Sequence, residues 1–271
     1  MAEDQSPRAL LDLAIRAARL AGAVLLDERP AGLVAAGTKS SPTDVVTEMD
    51  RRSERLIIDT ILAERPGDAV LGEEGGALAG HTAVTWVVDP LDGTVNYLYG
   101  LVPWAVSIAA QSGGRTVAGV VHIPGAGHTF TAVLGGGAYL DEHRLQRRPV
   151  ARLDQALVAT GFGYRTEDRA EQARVLAGVL PVVRDIRRAG AASVDLCAVA
   201  AGWVDAYYER GLQPWDHGAG ALVVSEAGGR VGDLHGGPPG QAMVLAAPLG
   251  LYEQLAELLV RLGTAPGPDA P

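Results

Sequence analysis

Positive charge is in short supply in this chain: 23 lysines and arginines face 32 aspartates and glutamates over 271 residues, a net charge of -9. That balance argues against a nucleic-acid binder, whose phosphate contacts need a basic face, and it leaves acids free to face cations. Cysteine is scarcer still. The single Cys197 cannot close an internal disulfide, and its setting in SVDLCAVAAG reads as a small apolar residue on a buried helix. No stretch reaches the roughly 18 uninterrupted apolar residues of a membrane span, and acids and arginines break up any signal-peptide core near the start. The expectation is a cytoplasmic protein that does not enter a membrane. Trp104, Trp203 and Trp215 lack the interleaved basic residues of a base-stacking platform, so they read as core or interface packing.

What is present is ordinary for a globular chain, with 48% hydrophobic and 20% charged residues. The length suits two halves sharing one cleft. A join near residues 145–155 divides 1–148 from 149–263, and the tail TAPGPDAP, 264–271, reads as disordered. Apolar spacing predicts helices over 7–27, 46–62, 169–180, 192–201, 216–227 and 251–262. Short β-branched runs predict strands over 69–71, 85–88, 204–208 and 242–246, and an antiparallel meander over 105–111, 116–122 and 129–134, with turns at SGGR and PGAG.

Four stretches carry chemistry. In WVVDPLDGTVNY, residues 86–97, an apolar strand runs into Asp89, turns at Pro90 and presents Asp92. Two carboxylates and the Leu91 carbonyl there could serve a hard divalent cation, and a helix opening at Gly93 would offer unpaired amides to phosphate. An ordinary Asp-Pro and Asp-Gly turn explains the same residues about as well. GEEGG, residues 72–76, puts Glu73 and Glu74 at another strand end, where paired glutamates are usually solvated charge. In PWDHGAG, residues 214–220, Asp216 reads as a helix N-cap, and the lone His217 is not assigned to a metal. KSSPTDVVTEMD, residues 39–50, supplies Lys39, three hydroxyls and two acids. Taken singly, Lys39 reads as surface charge, and Thr43 or Asp44 as a helix cap.

Together, in this order and with YYERG before PWDHGAG, the four stretches resemble the inositol monophosphatase family, from about the first helix to residue 262. The resemblance implies a layered αβαβα sandwich, a homodimer, and two or three Mg²⁺ ions in a site that Li⁺ inhibits in many members. It places Glu73, Asp89 and the Leu91 carbonyl on one ion and Asp89, Asp92 and Asp216 on another, most of these ligands lying in the N-terminal half. Asp50 and Thr94, with Glu73, match the groups that orient an attacking water, and Gly93 and Thr94 match phosphate-binding amides. Glu209, Gly190, Ala191 and Ala192 match positions that contact the inositol ring, although many members carry Ser or Thr where this chain has Ala191. The substrate so implied is a small phosphorylated polyol or sugar, inositol-1-phosphate first, with Lys39 facing the phosphate, a metal-bound water or solvent. Histidinol phosphate and fructose-1,6-bisphosphate are the alternatives on the same site. A non-enzymatic regulatory role on this fold predicts a damaged metal site or a basic partner face, and neither is visible here.

Overall fold

The computed structural model describes residues 6–30, 32, 34–39, 45–146 and 152–263. The expected boundary at 148/149, the expected tail at 264–271, and Thr43 and Asp44 lie outside them. Among the described residues the chain begins with α1 (Pro7–Asp27), β1 (Gly37–Thr38), β2 (Val45–Val46), α2 (Glu48–Glu64), β3 (Ala69–Gly72), β4 (Gly76–Leu78), β5 (Val84–Asp92) and α3 (Thr94–Tyr99). It continues with β6 (Ala105–Ser112), β7 (Arg115–Ile123), β8 (His128–Val133), β9 (Gly137–Leu140) and β10 (His143–Arg144). The later part holds β11 (Leu157–Thr160), α4 (Thr166–Val179), β12 (Asp185–Arg187), α5 (Ala192–Ala201) and β13 (Ala206–Glu209). It ends with α6 (Pro214–Glu226), β14 (Arg230–Gly232), β15 (Val244–Ala247) and α7 (Leu249–Arg261).

Local signals account for the first helices. Ser6 accepts a hydrogen bond from the Ala9 amide at 3.1 Å, and Pro7 takes the first position of α1, where no N–H is required. The side chains that α1 buries include Leu10, Leu13, Ala14, Ala17 and Ala21, as the apolar spacing expected. α2 begins at Glu48 because Thr47 caps it. The Thr47 hydroxyl accepts from the Met49 amide while the Asp50 carboxylate accepts from the Thr47 amide at 2.8 Å, a reciprocal cap. The cap expected at Thr43 or Asp44 is therefore corrected to Thr47.

An eight-stranded sheet runs β10-β9-β8-β7-β6-β5-β3-β4 and a five-stranded sheet runs β12-β11-β13-β15-β14. The expected meander is present as the antiparallel pairs β6–β7 and β7–β8. α1 and α2 pack on one face of the larger sheet, α5 and α6 lie between the sheets, and α4 and α7 cover the outer face of the smaller one. Three apolar clusters fill the interfaces of this αβαβα sandwich, the architecture expected of the chain. Because β5 is covered on both faces, it reads as a nearly unbroken apolar run rather than an alternating one.

Two details of β5 depart from expectation. The strand does not stop at Val88 but continues to Asp92, its pairing with β6 resuming at Asp92–Ala105 beyond an irregularity after Asp89. That irregularity accommodates Pro90, which has no N–H to give to a ladder. The short strands β1, β2, β4, β9, β10, β11, β12 and β14 were not expected from the sequence, since two to four residues leave too little period to read, and the helix expected from residue 46 begins at Glu48 because Val45–Val46 is β2. Cys197 is fully buried on α5, and Trp104 packs edge-on against Tyr97 with ring centres 4.9 Å apart. Trp203 is 47% exposed and leans on Phe130. Among the described residues no helix is long and apolar enough to cross a membrane.

Candidate active site

β3 and β5 run parallel with Gly72 opposite Val88, so Glu73 leaves β3 directly beside Asp89 on β5. Clefts in α/β folds form at such carboxyl ends of neighbouring parallel strands. Asp92 closes β5, and Asp216 enters from the first turn of α6. These four carboxylates line one cleft of about 780 Å³ together with Lys39, Leu91, Gly93, Thr94, Gly190, Ala191, Ala192 and Glu209. Asp50 stands behind it, accepting a hydrogen bond from the Thr94 hydroxyl at 2.9 Å. The structure thus brings every expected site residue to this cleft or into contact with it.

Asp89 is 2% exposed and Asp92 9%. Burial pushes all four carboxyl groups upward; repulsion from the other carboxylates of the group adds to it for Asp89 and Asp216, and repulsion from Glu74 adds to it for Glu73. Glu73 reaches about 7, and Asp89 and Asp216 stand well above the usual carboxylate range. Asp92 is raised less freely, because hydrogen bonds from Ser193 and Ala192 favour its charged form.

Lys39 is the one lysine in the sequence, and it does not behave as surface charge. Its Nζ lies 2.7 Å from Glu73 Oε1 and 2.5 Å from Glu74 Oε1. Burial alone would lower its pKa, but the two glutamates reverse the shift and raise it. The Lys39 ammonium therefore supplies positive charge at the Glu73 edge of the cluster. Among the described residues no group of three or more Asp, Glu, His or Cys side chains stands ready to hold a metal ion. The donor chemistry nevertheless suits one. The cleft offers only hard oxygen donors of the kind Mg²⁺ takes, and the ammonium marks where a cation is needed.

The Leu91 carbonyl shows the same unmet demand. The Thr94 hydroxyl is 2.9 Å from Asp50 Oδ1 and 3.0 Å from the Leu91 oxygen, yet it has a single proton to give. The charged Asp50 is the stronger acceptor, which leaves the Leu91 oxygen open to a cation. Gly93 sits at φ +88°, a left-handed conformation, and a Cβ there would stand 3.2 Å from the Ala191 Cβ. α3 has only six residues, so its dipole adds little to the binding of an anion.

A profile of the inositol monophosphatase family matches residues 6–264. The chain belongs to the inositol monophosphatase family. Among its relatives, the Mycobacterium tuberculosis H37Rv protein named inositol-1-monophosphatase SuhB is 50% identical over 85% of this chain and 83% of its own. The Escherichia coli K12 protein named Nus factor SuhB is 41% identical over 84% of this chain and 86% of its own. Of solved structures, Mycobacterium tuberculosis SuhB superposes with a TM-score of 0.82 at 44% identity, covering 96% of this chain and 99% of that one. The inositol monophosphatase of Anabaena gives 0.84 at 31% identity, covering 94% and 96%. Membership places the chain among phosphatases, a class of hydrolases.

In this inositol monophosphatase family member, Asp216 is not the N-cap of its helix. Gln213 holds that place because Pro214 is suited to the first helical position, and Asp216, three residues on, accepts from the Gln213 amide at 2.7 Å. The carboxylate both caps α6 and faces the cleft. Glu209, at the end of β13, accepts a hydrogen bond from the Tyr207 hydroxyl at 2.6 Å, and burial brings its pKa up to about 7. His217 lies outside the cleft lining, and burial depresses it to about 4.

Sequence reasoning missed several members of the site. Ser193 and Tyr207 hold Asp92 and Glu209, and Asp195 is buried nearby with its pKa pushed up to about 8 by burial and by Glu209 and Asp92. Glu54, on α2, accepts from the Glu74 amide at 2.9 Å and so shapes the turn that carries Glu73. Arg188 lines the cleft and draws down the pKa of Asp92, Asp195 and Glu209 by its charge. None of these had a sequence signal, because each matters through a partner far along the chain.

Proposed function

We propose that the chain hydrolyses inositol-1-phosphate to myo-inositol and phosphate, using two or three Mg²⁺ ions. The observation that carries this reading is the group of four carboxylates gathered in one cleft from the end of β3, from β5 and from α6, Asp89 and Asp92 buried and Glu73 and Asp216 half-buried, with Lys39 and Arg188 as the cations beside them. Glu73, Asp89 and the Leu91 carbonyl would hold one ion, and Asp89, Asp92 and Asp216 another, with Asp89 common to both. Bound there, Mg²⁺ supplies neutralisation of the phosphate, an acidified water and stabilisation of the departing oxygen. Asp50 fixes the Thr94 hydroxyl, and with Glu73 the two orient the attacking water. The Gly93 and Thr94 amides receive phosphate oxygens. Glu209, with Gly190, Ala191 and Ala192, receives the polyol, and Lys39, once released by Glu73, turns to the phosphate side.

The exposed side chains of Tyr99, Leu101 and Val102 support a homodimer, and the acidic balance with no membrane-spanning helix among the described residues supports a cytoplasmic setting. Lithium inhibition is part of the same proposal.

Phosphate release from inositol-1-phosphate, histidinol phosphate and fructose-1,6-bisphosphate, with Mg²⁺, with EDTA and with added Li⁺, tests the reading. We expect Mg²⁺-dependent release, fastest from inositol-1-phosphate and suppressed by Li⁺. Faster release from histidinol phosphate or fructose-1,6-bisphosphate would transfer the proposal to that substrate, and no release from any would remove the catalytic reading.

Glu209 can be tested through its neighbour. A Cβ added at Gly161 would lie 1.9 Å from Glu209 Oε2, so Gly161→Ala must push that carboxylate off its Tyr207 bond. The expected result is a rise of about tenfold in KM for inositol-1-phosphate with a smaller change in kcat, the loss of roughly one charge-assisted hydrogen bond. An unchanged KM would remove Glu209 from the polyol contacts.

A further inference from the structure

Three donors from one helix end converge on a single carboxylate of the cleft lining. The Ser193 amide and hydroxyl both donate to Asp92 Oδ2, at 2.7 and 2.6 Å, and the Ala192 amide donates to Asp92 Oδ1 at 3.2 Å. Ser193 is 0% exposed, in a helix whose other side chains, Asp195 apart, are apolar. A serine in the first turn of a helix ordinarily bonds its own backbone, and a buried hydroxyl without a partner is costly. This one reaches a carboxylate 101 residues away in sequence.

We infer that Ser193 is a positioning residue that decides which oxygen of Asp92 is offered to a cation. The inference rests on the metal-dependent reading above. A carboxylate turns about its last torsion in a broad, nearly twofold well, so its two oxygens readily exchange roles. With the two amides alone, each oxygen of Asp92 would have one donor and the group would stay nearly symmetric. The Ser193 hydroxyl breaks that symmetry. Oδ2 is engaged by two short bonds to a charged acceptor, while Oδ1 keeps one long bond and its remaining lone pair. Asp92 becomes a ligand through one oxygen, which suits the near-octahedral demand of Mg²⁺ better than a two-oxygen bite.

The test uses the full chain as Ser193→Ala, with Ser193→Thr retaining the hydroxyl. Ser225→Ala, which removes an exposed hydroxyl bonded to the Ala221 carbonyl in α6, is the control. Mg²⁺ binding is measured by titration calorimetry without substrate, and melting temperature in EDTA and in saturating Mg²⁺. Ser193→Ala is expected to bind Mg²⁺ about tenfold more weakly, and Ser193→Thr to return within about threefold of the parent, the scale on which residues behind metal ligands act. The melting-temperature rise caused by Mg²⁺ should shrink in Ser193→Ala and not in Ser225→Ala. If Ser193→Ala binds Mg²⁺ as the parent does and only melts lower in both buffers, the hydroxyl is packing and the inference is overturned. If the parent binds no Mg²⁺, the metal reading falls and takes the inference with it. Should Ser193→Ala not fold, Ser193→Cys, similar in size but a weak donor, carries the same comparison, and parent-like Mg²⁺ binding there counts against the inference.

Discussion

Asp89→Asn is expected to lower kcat by at least about a thousandfold while leaving the fold intact, the scale on which loss of a charge-stabilising group in a reaction centre is felt. Asp89 is the carboxylate shared by both proposed ions, and its substitution by a neutral isostere removes charge without changing shape. The Asn carbonyl can keep the bond that Asp89 Oδ1 accepts from the Leu91 amide at 3.0 Å. Its amide, unlike a second carboxylate, does not repel Glu73, whose charge raises the Asp89 pKa. In EDTA the variant should therefore melt at the same temperature as the parent or higher, since one buried charge has gone from a repelling group. Mg²⁺ should raise the parent's melting temperature by about 5–10 °C at a hundredfold excess over its dissociation constant, and the variant's hardly at all. A variant that turns over at the parental rate with the parental Mg²⁺ dependence would falsify the shared-ligand assignment.

The second large effect is on stability against pH. In EDTA, the melting temperature should fall by about 5–15 °C between pH 5 and pH 8, a loss of a few kcal/mol for a chain of this size. Burial, foremost, lifts Glu73 and Glu209 from 4.5 to about 7 and Asp195 from 3.8 to about 8. The folded chain then holds these protons more tightly than the unfolded one. Their contribution is fully present below about pH 4 and is lost as pH rises through 7 to 8. Mg²⁺ should remove only the part due to the metal-side acids, Glu73 among them. The part due to Glu209 and Asp195, away from the proposed ions, should persist with Mg²⁺ and shrink in Glu209→Gln. A melting temperature that rises with pH in EDTA would show that the acids are not crowded as described.

These expectations depend on residues of two kinds. Asp89, Asp92, Glu73 and Asp216 were each placed at a strand end or helix start by hydrophobic period and turn chemistry, but they were legible as one site only through the order of the four motifs, which resembles that of the family. Helices α1 and α5 began and ended where their spacing and neighbours said, and the meander followed from its turns. Asp216 was placed one turn wrong, because a Pro at the first helical position outranks an Asp as a marker of where a helix opens. β5 ran on through Pro90 because a neighbouring strand, not the local sequence, decided where pairing ended.

The amino-acid sequence by itself determined the main helices and the meander, which rest on period and turn chemistry acting over a few residues, and, through the order of its four motifs, a resemblance to the family that implied the layered class and the set of acids. Only the tertiary structure decided what neutralises those acids. That Lys39 pairs with Glu73 and Glu74 and that Ser193 holds Asp92 follow from the parallel pairing of β3 with β5 and the seat of α5 between two sheets. Charge and hydrogen bonding act across about 3 Å of space, whatever the distance along the chain, so no local pattern could announce them.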